Sequence, residues 1–153
     1  PDMNTAQLHD KLMVQGADLL LQTVQLIEEN KAPREKQDDN LSCYAKMLNN
    51  DNCRIDWTKS AQDIHNLVRG LNSWPVAYTT LNNKKFKIWQ TRVTTGTGNP
   101  GQIIKLTKQS IIVATGEGAI ELLEIQPPNK AKMPASSYIN GHKQELENNV
   151  SFI

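Results

Sequence analysis

Apolar residues alternate with polar ones in five short runs between Val76 and Gln126, and tight-turn residues bound each run. Alternation sends successive side chains to opposite faces of a strand. The runs Val76–Leu81, Lys84–Val93, Gln102–Leu106, Ile111–Thr115 and Ala119–Gln126 therefore read as β-strands. Asn82-Asn83 supplies a two-residue hairpin turn. The glycine-rich stretch from Thr94 to Gly101, Lys108-Gln109 and Gly116-Glu117-Gly118 supply the other connections, and Pro127-Pro128 stops the last run.

Upstream the period is helical. Ile64, Leu67, Val68 and Leu71 share one face, Ser60 and Asp63 form a capping-box variant ahead of them, and Pro75 ends the element. This predicts a helix of about three turns over Ser60–Leu71. Nearer the start, Asn4 or Thr5 caps a longer helix in which Leu8, Leu12, Leu19, Leu20, Val24 and Ile27 recur at helical spacing. That helix ends near Glu29, before Lys31-Ala32-Pro33. Met133–Gly141 predicts one last helical turn with Gly141 just past its end. The expected fold is α+β, mainly β: a five-stranded antiparallel barrel of the oligonucleotide-binding (OB) type, preceded by helices and a separate N-terminal helix.

The stretch from Glu29 to Asn40 is charged and polar without apolar rhythm, which marks a linker. Residues 1–40 therefore form a helix plus linker, and residues 41–153 form the barrel domain. A helix with a strong apolar face needs a partner, either the rest of this chain or an upstream domain. The chain opens on Pro1 rather than Met, which reads as a piece excised from something longer. No run approaches the roughly 20 apolar residues of a membrane span.

Charge is unevenly distributed. Residues 1–72 hold 8 Lys+Arg against 11 Asp+Glu, whereas residues 73–153 hold 9 against 5. No acid lies between Trp74 and Gly116, where six basic residues sit. Such a block attracts phosphates by counterion release. It is also what a solvated edge strand carries to block aggregation. On the second strand, strict alternation puts Lys85, Lys87 and Trp89 on one face and Lys84, Phe86, Ile88 and Arg92 on the other. Trp89 beside two lysines offers a surface for stacking a base or ribose. A tryptophan in such a strand more often fills the barrel core, and the core is the expectation.

Catalytic signatures are absent. The stretch from Gly96 to Gly101 spells G-x-G-x-x-G, but the strand-like Gln102-Ile103-Ile104 follows where a pyrophosphate-binding helix is required, so it reads as a loop. His9, His65 and His142 pair with no acid or cysteine at ligand spacing, and His65 falls on a helix flank as a structural or solvated group. Glu121 and Glu124 are an odd number apart, which puts them on opposite strand faces and argues against a carboxylate pair. Cys43 and Cys53 fit neither a disulfide framework nor a zinc knuckle, and suit a cytosolic chain. No catalytic or metal-binding residue is assigned.

Three segments carry a resemblance: Arg54-Ile55-Asp56-Trp57; the helix Ile64-His65-Asn66-Leu67-Val68-Arg69; and Asn72-Ser73-Trp74-Pro75-Val76-Ala77. With Val113-Ala114-Thr115-Gly116-Glu117-Gly118, Leu122 to Gln126 and Lys130-Ala131-Lys132-Met133, the series resembles the C-terminal half of the methionyl-tRNA formyltransferase family. Leu8 to Leu12 and Gly16 to Leu20 are similar to the last long helix of that family's catalytic domain. Ser73 and Val76 stand where the family usually has proline and glycine, and Lys46 lies one position early in Tyr44-Ala45-Lys46-Met47.

The resemblance implies a parent enzyme that moves a formyl group from formyl-tetrahydrofolate to the methionyl amine of initiator tRNA in the cytoplasm. The family's catalytic Asn, His and Asp have no matching positions here, so this chain alone should be inactive. Its implied role is to hold initiator methionyl-tRNA beside the upstream catalytic domain, with Lys84, Lys85, Lys87, Arg92, Lys105, Lys130 and Lys132 as phosphate partners. Two rivals are the tail of a formyltransferase acting on a nucleotide-linked amino sugar, and a free-standing oligonucleotide-binding module.

Overall fold

The computed structural model describes residues 2–147 and 150–153. Helix α1 (Thr5–Glu28) is capped as expected: the Asn4 side chain accepts the Gln7 amide and the Gln7 side chain accepts the Asn4 amide. No residue of α1 is buried, and Leu12, Leu19, Leu20 and Ile27 are each more than half exposed. Only its start touches the body. Ala6 donates to the Asn72 carbonyl (3.2 Å), Thr5 Oγ1 to that of Gly70 (2.6 Å), and Arg69 to that of Met3 (3.1 Å). The linker that follows is exposed apart from Ala32, and exposure continues to Asn52.

The body begins at Cys53. Ile55 and Trp57 are buried beside strand β1 (Ala77–Leu81), where the Ile55 amide donates to the Tyr78 carbonyl (2.8 Å). Helix α2 (Ala61–Gly70) has Ser60 as N-cap, accepting from the Asp63 amide, and buries Ile64 and Val68. Strands β2 (Lys84–Thr94), β3 (Ile103–Leu106), β4 (Ile111–Ala114) and β5 (Ala119–Gln126) follow. A two-residue strand β6 (Met133–Pro134) leads into helix α3 (Ala135–Glu147), which leaves helical geometry at His142. One core cluster joins α2, the sheet, α3 and Phe152.

The architecture is α+β and mainly β, as expected, but the barrel expectation needs correcting. The sheet is antiparallel and six-stranded, in the order β1-β2-β5-β4-β3 with β6 on β5, and the edges β1 and β3 are not neighbours. Residues 150–153 run between those edges. Phe152 donates to the Gly101 carbonyl (2.8 Å) and Ile103 to that of Val150 (3.3 Å). On the other side, Ile153 and Thr80 exchange amide–carbonyl bonds of 2.9 and 3.0 Å. The tail thus supplies partners to two edges that would otherwise be open.

Three local expectations change with it. Val76 lies outside β1 because its φ is +72°, a region that penalises a β-branched side chain, and its amide is held by the Leu71 carbonyl (3.0 Å). The expected last turn at Met133–Gly141 is β6 plus α3, whose helical geometry breaks at His142 just past Gly141, as expected, and then resumes to Glu147. Glu121 and Glu124 do not face opposite sides. Leu122 and Ile125 are buried while both glutamates are half-buried, so the alternation slips between them.

Candidate nucleic-acid interface

The same slip governs β2. Its pairing with β5 is irregular between Ile88 and Thr91, and this bulge changes which residues face outward. Phe86 and Ile88 are buried, as is Thr91, while Lys85, Gln90 and Arg92 are exposed and Lys87 and Trp89 half-buried. Arg92 therefore leaves the face assigned to it by strict alternation and joins the outer one. Trp89 is not a core residue, contrary to expectation. Phe86 and Ile88 take the inward face, so simple alternation leaves the Trp89 indole on the outer one.

The seven basic candidates fall into three groups. Lys85, Lys87, Arg92 and Lys132 lie on or beside the outer face of β2 and β5. Lys85 Nζ sits 3.7 Å from the Tyr78 ring centroid, a cation–π contact. Arg92 bonds Glu121 through Nε (3.0 Å) and Nη2 (2.5 Å), and Lys132 bonds Glu124 (2.9 Å). Lys84 and Lys130 line a small cleft with Phe86, Pro127 and Tyr138. Lys105, on β3, lies three strands from β2 and is not brought together with the others. Among the described residues, Lys84, Lys87, Lys105 and Lys130 make no ion pair.

A groove of about 800 Å³ opens between α2, the start of α1 and the outer face of β2 and β5. Asn72, His65, Trp89, Gln90, Arg92 and Lys132 are among its lining residues. His65 Nδ1 is 2.9 Å from Thr91 Oγ1, and its Nε2 is 3.8 Å from Asp2. Burial, followed by the nearby Arg69 charge, holds the His65 pKa below its usual value, against an opposing pull from Asp2. The imidazole is therefore neutral near pH 7 and adds no charge to the groove.

Two supporting residues, Asn72 and Gln126, were not legible as such. Asn72 Nδ2 donates to the Trp89 carbonyl (2.8 Å), Trp89 Nε1 donates to Gln126 (3.2 Å), and Gln126 donates to the Lys130 carbonyl (3.0 Å). The proximity of Asn72 to Trp-Pro was the only local signal. Its bond to β2 spans residues that no periodicity connects. No group of three or more His, Cys, Asp or Glu among the described residues is placed to hold a metal, and no helix is long and apolar enough to cross a membrane.

Residues 47–143 match the family described as formyl transferase, C-terminal domain. Similar proteins include the methionyl-tRNA formyltransferases of Geotalea daltonii (41% identical; 94% of this chain, 46% of that protein) and Clostridium perfringens strain 13 (44%; 95% and 48%). That of Staphylococcus epidermidis RP62A is 44% identical over 96% of this chain and 48% of its own length. The chain thus spans about half the length of these curated relatives. A variant of HypX from Aquifex aeolicus shares the fold at a TM-score of 0.72 and 14% identity, over 94% of this chain and 27% of that one. HypX in complex with tetrahydrofolic acid aligns at 0.63 and 17%, over 82% and 22%. With more than half of its residues matched, the chain belongs to the formyl transferase C-terminal domain family.

Proposed function

We propose that this chain is the tRNA-holding part of a methionyl-tRNA formyltransferase. In that reading residues 41–153 position initiator methionyl-tRNA by phosphate contacts. A catalytic domain of the same protein passes the formyl group from formyl-tetrahydrofolate to the methionyl amine, in the cytoplasm. Residues 1–40 are the last helix of that catalytic domain plus the linker, and the domain covers the apolar side chains that α1 exposes. The relatives' activity motivates the assignment, and one observation carries the RNA contact: the run Lys84, Lys85, Lys87 projects from one hairpin strand with no carboxylate partner among the described residues.

Lys84, Lys85, Lys87 and Lys130 are the phosphate partners available at once. Arg92 and Lys132 must exchange Glu121 and Glu124 for phosphate, which reduces their net gain. Lys105 meets a separate stretch of RNA or none. Phosphate contacts of this kind fix position and carry little sequence information.

The test is a titration of this chain against labelled initiator tRNA at several salt concentrations. Binding should fall steeply with salt, and Lys84→Ala, Lys85→Ala or Lys87→Ala should each lower the log–log slope by about 1. No binding at low salt defeats the proposal and turns attention to a nucleotide-linked amino sugar as the parent's substrate.

A further inference from the structure

Trp89 is held at both ends yet left outside the core. Its carbonyl accepts from Asn72 and its indole N–H donates to Gln126, which is itself tied to the Lys130 carbonyl. The ring therefore has a fixed orientation inside a groove whose other lining groups are mostly polar. Gln62, Gln90, Thr91 and Glu124 offer both donors and acceptors along its walls. Lys132 Nζ, bonded to Glu124, lies over the Trp89 ring 5.4 Å from its centroid, a cation–π contact that a stacked base must share or displace on that face. Folding gains little from leaving a large aromatic half-exposed among polar groups. A single-stranded nucleic acid, by contrast, uses this combination: a rigid aromatic surface, cations beside it for the flanking phosphates, and amides for a base edge.

We propose that the groove between α2 and the bulged β2–β5 face takes one unpaired nucleotide of the bound RNA, with its base stacked on Trp89. The inference rests on the RNA-binding reading above and adds to it a site that discriminates unpaired from paired RNA. Lys132 over the ring and Lys87, two residues before Trp89 on β2, meet the phosphates on either side. The groove's volume of about 800 Å³ lies in the range of small-ligand sites, ample for a nucleotide.

The experiment compares binding of a labelled single-stranded oligoadenylate and a blunt RNA duplex to this chain and to Trp89→Phe and Trp89→Leu, at one low salt concentration. Trp89→Leu should weaken oligoadenylate binding by about 5- to 150-fold. Trp89→Phe should retain most of the affinity, and the duplex should be affected little by either change. In a Trp74→Phe background, which removes the most exposed indole, oligoadenylate should quench the remaining fluorescence. That measurement decides the matter if Trp89→Leu does not fold. Unchanged oligoadenylate affinity in Trp89→Leu, an equal loss on the duplex, or no quenching overturns the stacking site while leaving lysine-dependent RNA binding intact. Failure of both RNAs to bind removes the RNA reading and this site together.

Discussion

Replacing Phe152 by alanine tests whether residues at the very end of the chain hold the sheet together. Terminal residues are usually expendable. Phe152, however, is 3% exposed, stacks on Trp57 at 5.7 Å between centroids and meets Phe86 edge-on at 6.1 Å. Truncating a buried phenylalanine removes its transfer free energy and leaves a cavity, about 3–5 kcal/mol in well-packed sites. The cavity here opens between β1, β2 and the Trp57 segment. Trp57 Nε1 donates to buried Thr79 (2.9 Å), and Thr79 donates to the Ile153 carbonyl (3.0 Å), so loosening the tail also weakens a buried polar chain. With a urea m-value of about 2 kcal/mol/M, the expected loss moves the midpoint down by roughly 1.5–2.5 M. Leu20→Ala is the control: its side chain is 65% exposed on α1, and its replacement should change stability by no more than about 0.5 kcal/mol. A Phe152→Ala shift below about 0.5 M with an unchanged m-value refutes the argument that the tail supports both sheet edges.

Gly116→Ala should also be strongly destabilising. A Cβ there would fall on the Thr58 carbonyl oxygen, and the Gly116 amide bonds the Trp57 and Lys59 carbonyls at 2.9 and 3.0 Å. A loss of at least about 2 kcal/mol in chemical denaturation is expected, and a neutral result contradicts the close approach. The depressed pKa of His65 predicts a pH dependence of defined sign. The unfolded chain takes up the His65 proton at a higher pH than the folded one. Stability from this residue is therefore fully present above about pH 6.5 and declines as pH falls through the unfolded value. Part of the thermal-midpoint drop between pH 7.5 and 5.5 should vanish in His65→Asn, and an identical profile in that variant would rule the residue out.

Local patterns were enough to find most elements because their causes are local. Asn4 and Ser60 cap their helices through side chains three residues from the amides they bond, and Asn82-Asn83 turns a hairpin whose two central residues have φ of +50° and +60°. Ala119–Gln126 has the bounds expected from its alternation and its flanking glycine and proline. The apolar stripe of α1 was legible, but the sequence left open what covers it; among the described residues nothing buries it.

What the sequence left undetermined depends on contacts between distant residues. The bulges in β2 and β5 arise where the two strands pair, and each moves side chains across the sheet without any mark in its own strand. They turn Arg92 outward and put Glu121 and Glu124 where each can hold a cation. The tail shows the same dependence: residues 150–153 are too short to declare a strand, and acquire their role only because they run between the separate edges β1 and β3. Residue types and spacing determined the helices, most turns and the basic character of the hairpin. Tertiary pairing decided which of those basic residues face a groove, which are already neutralised, and what lies between them.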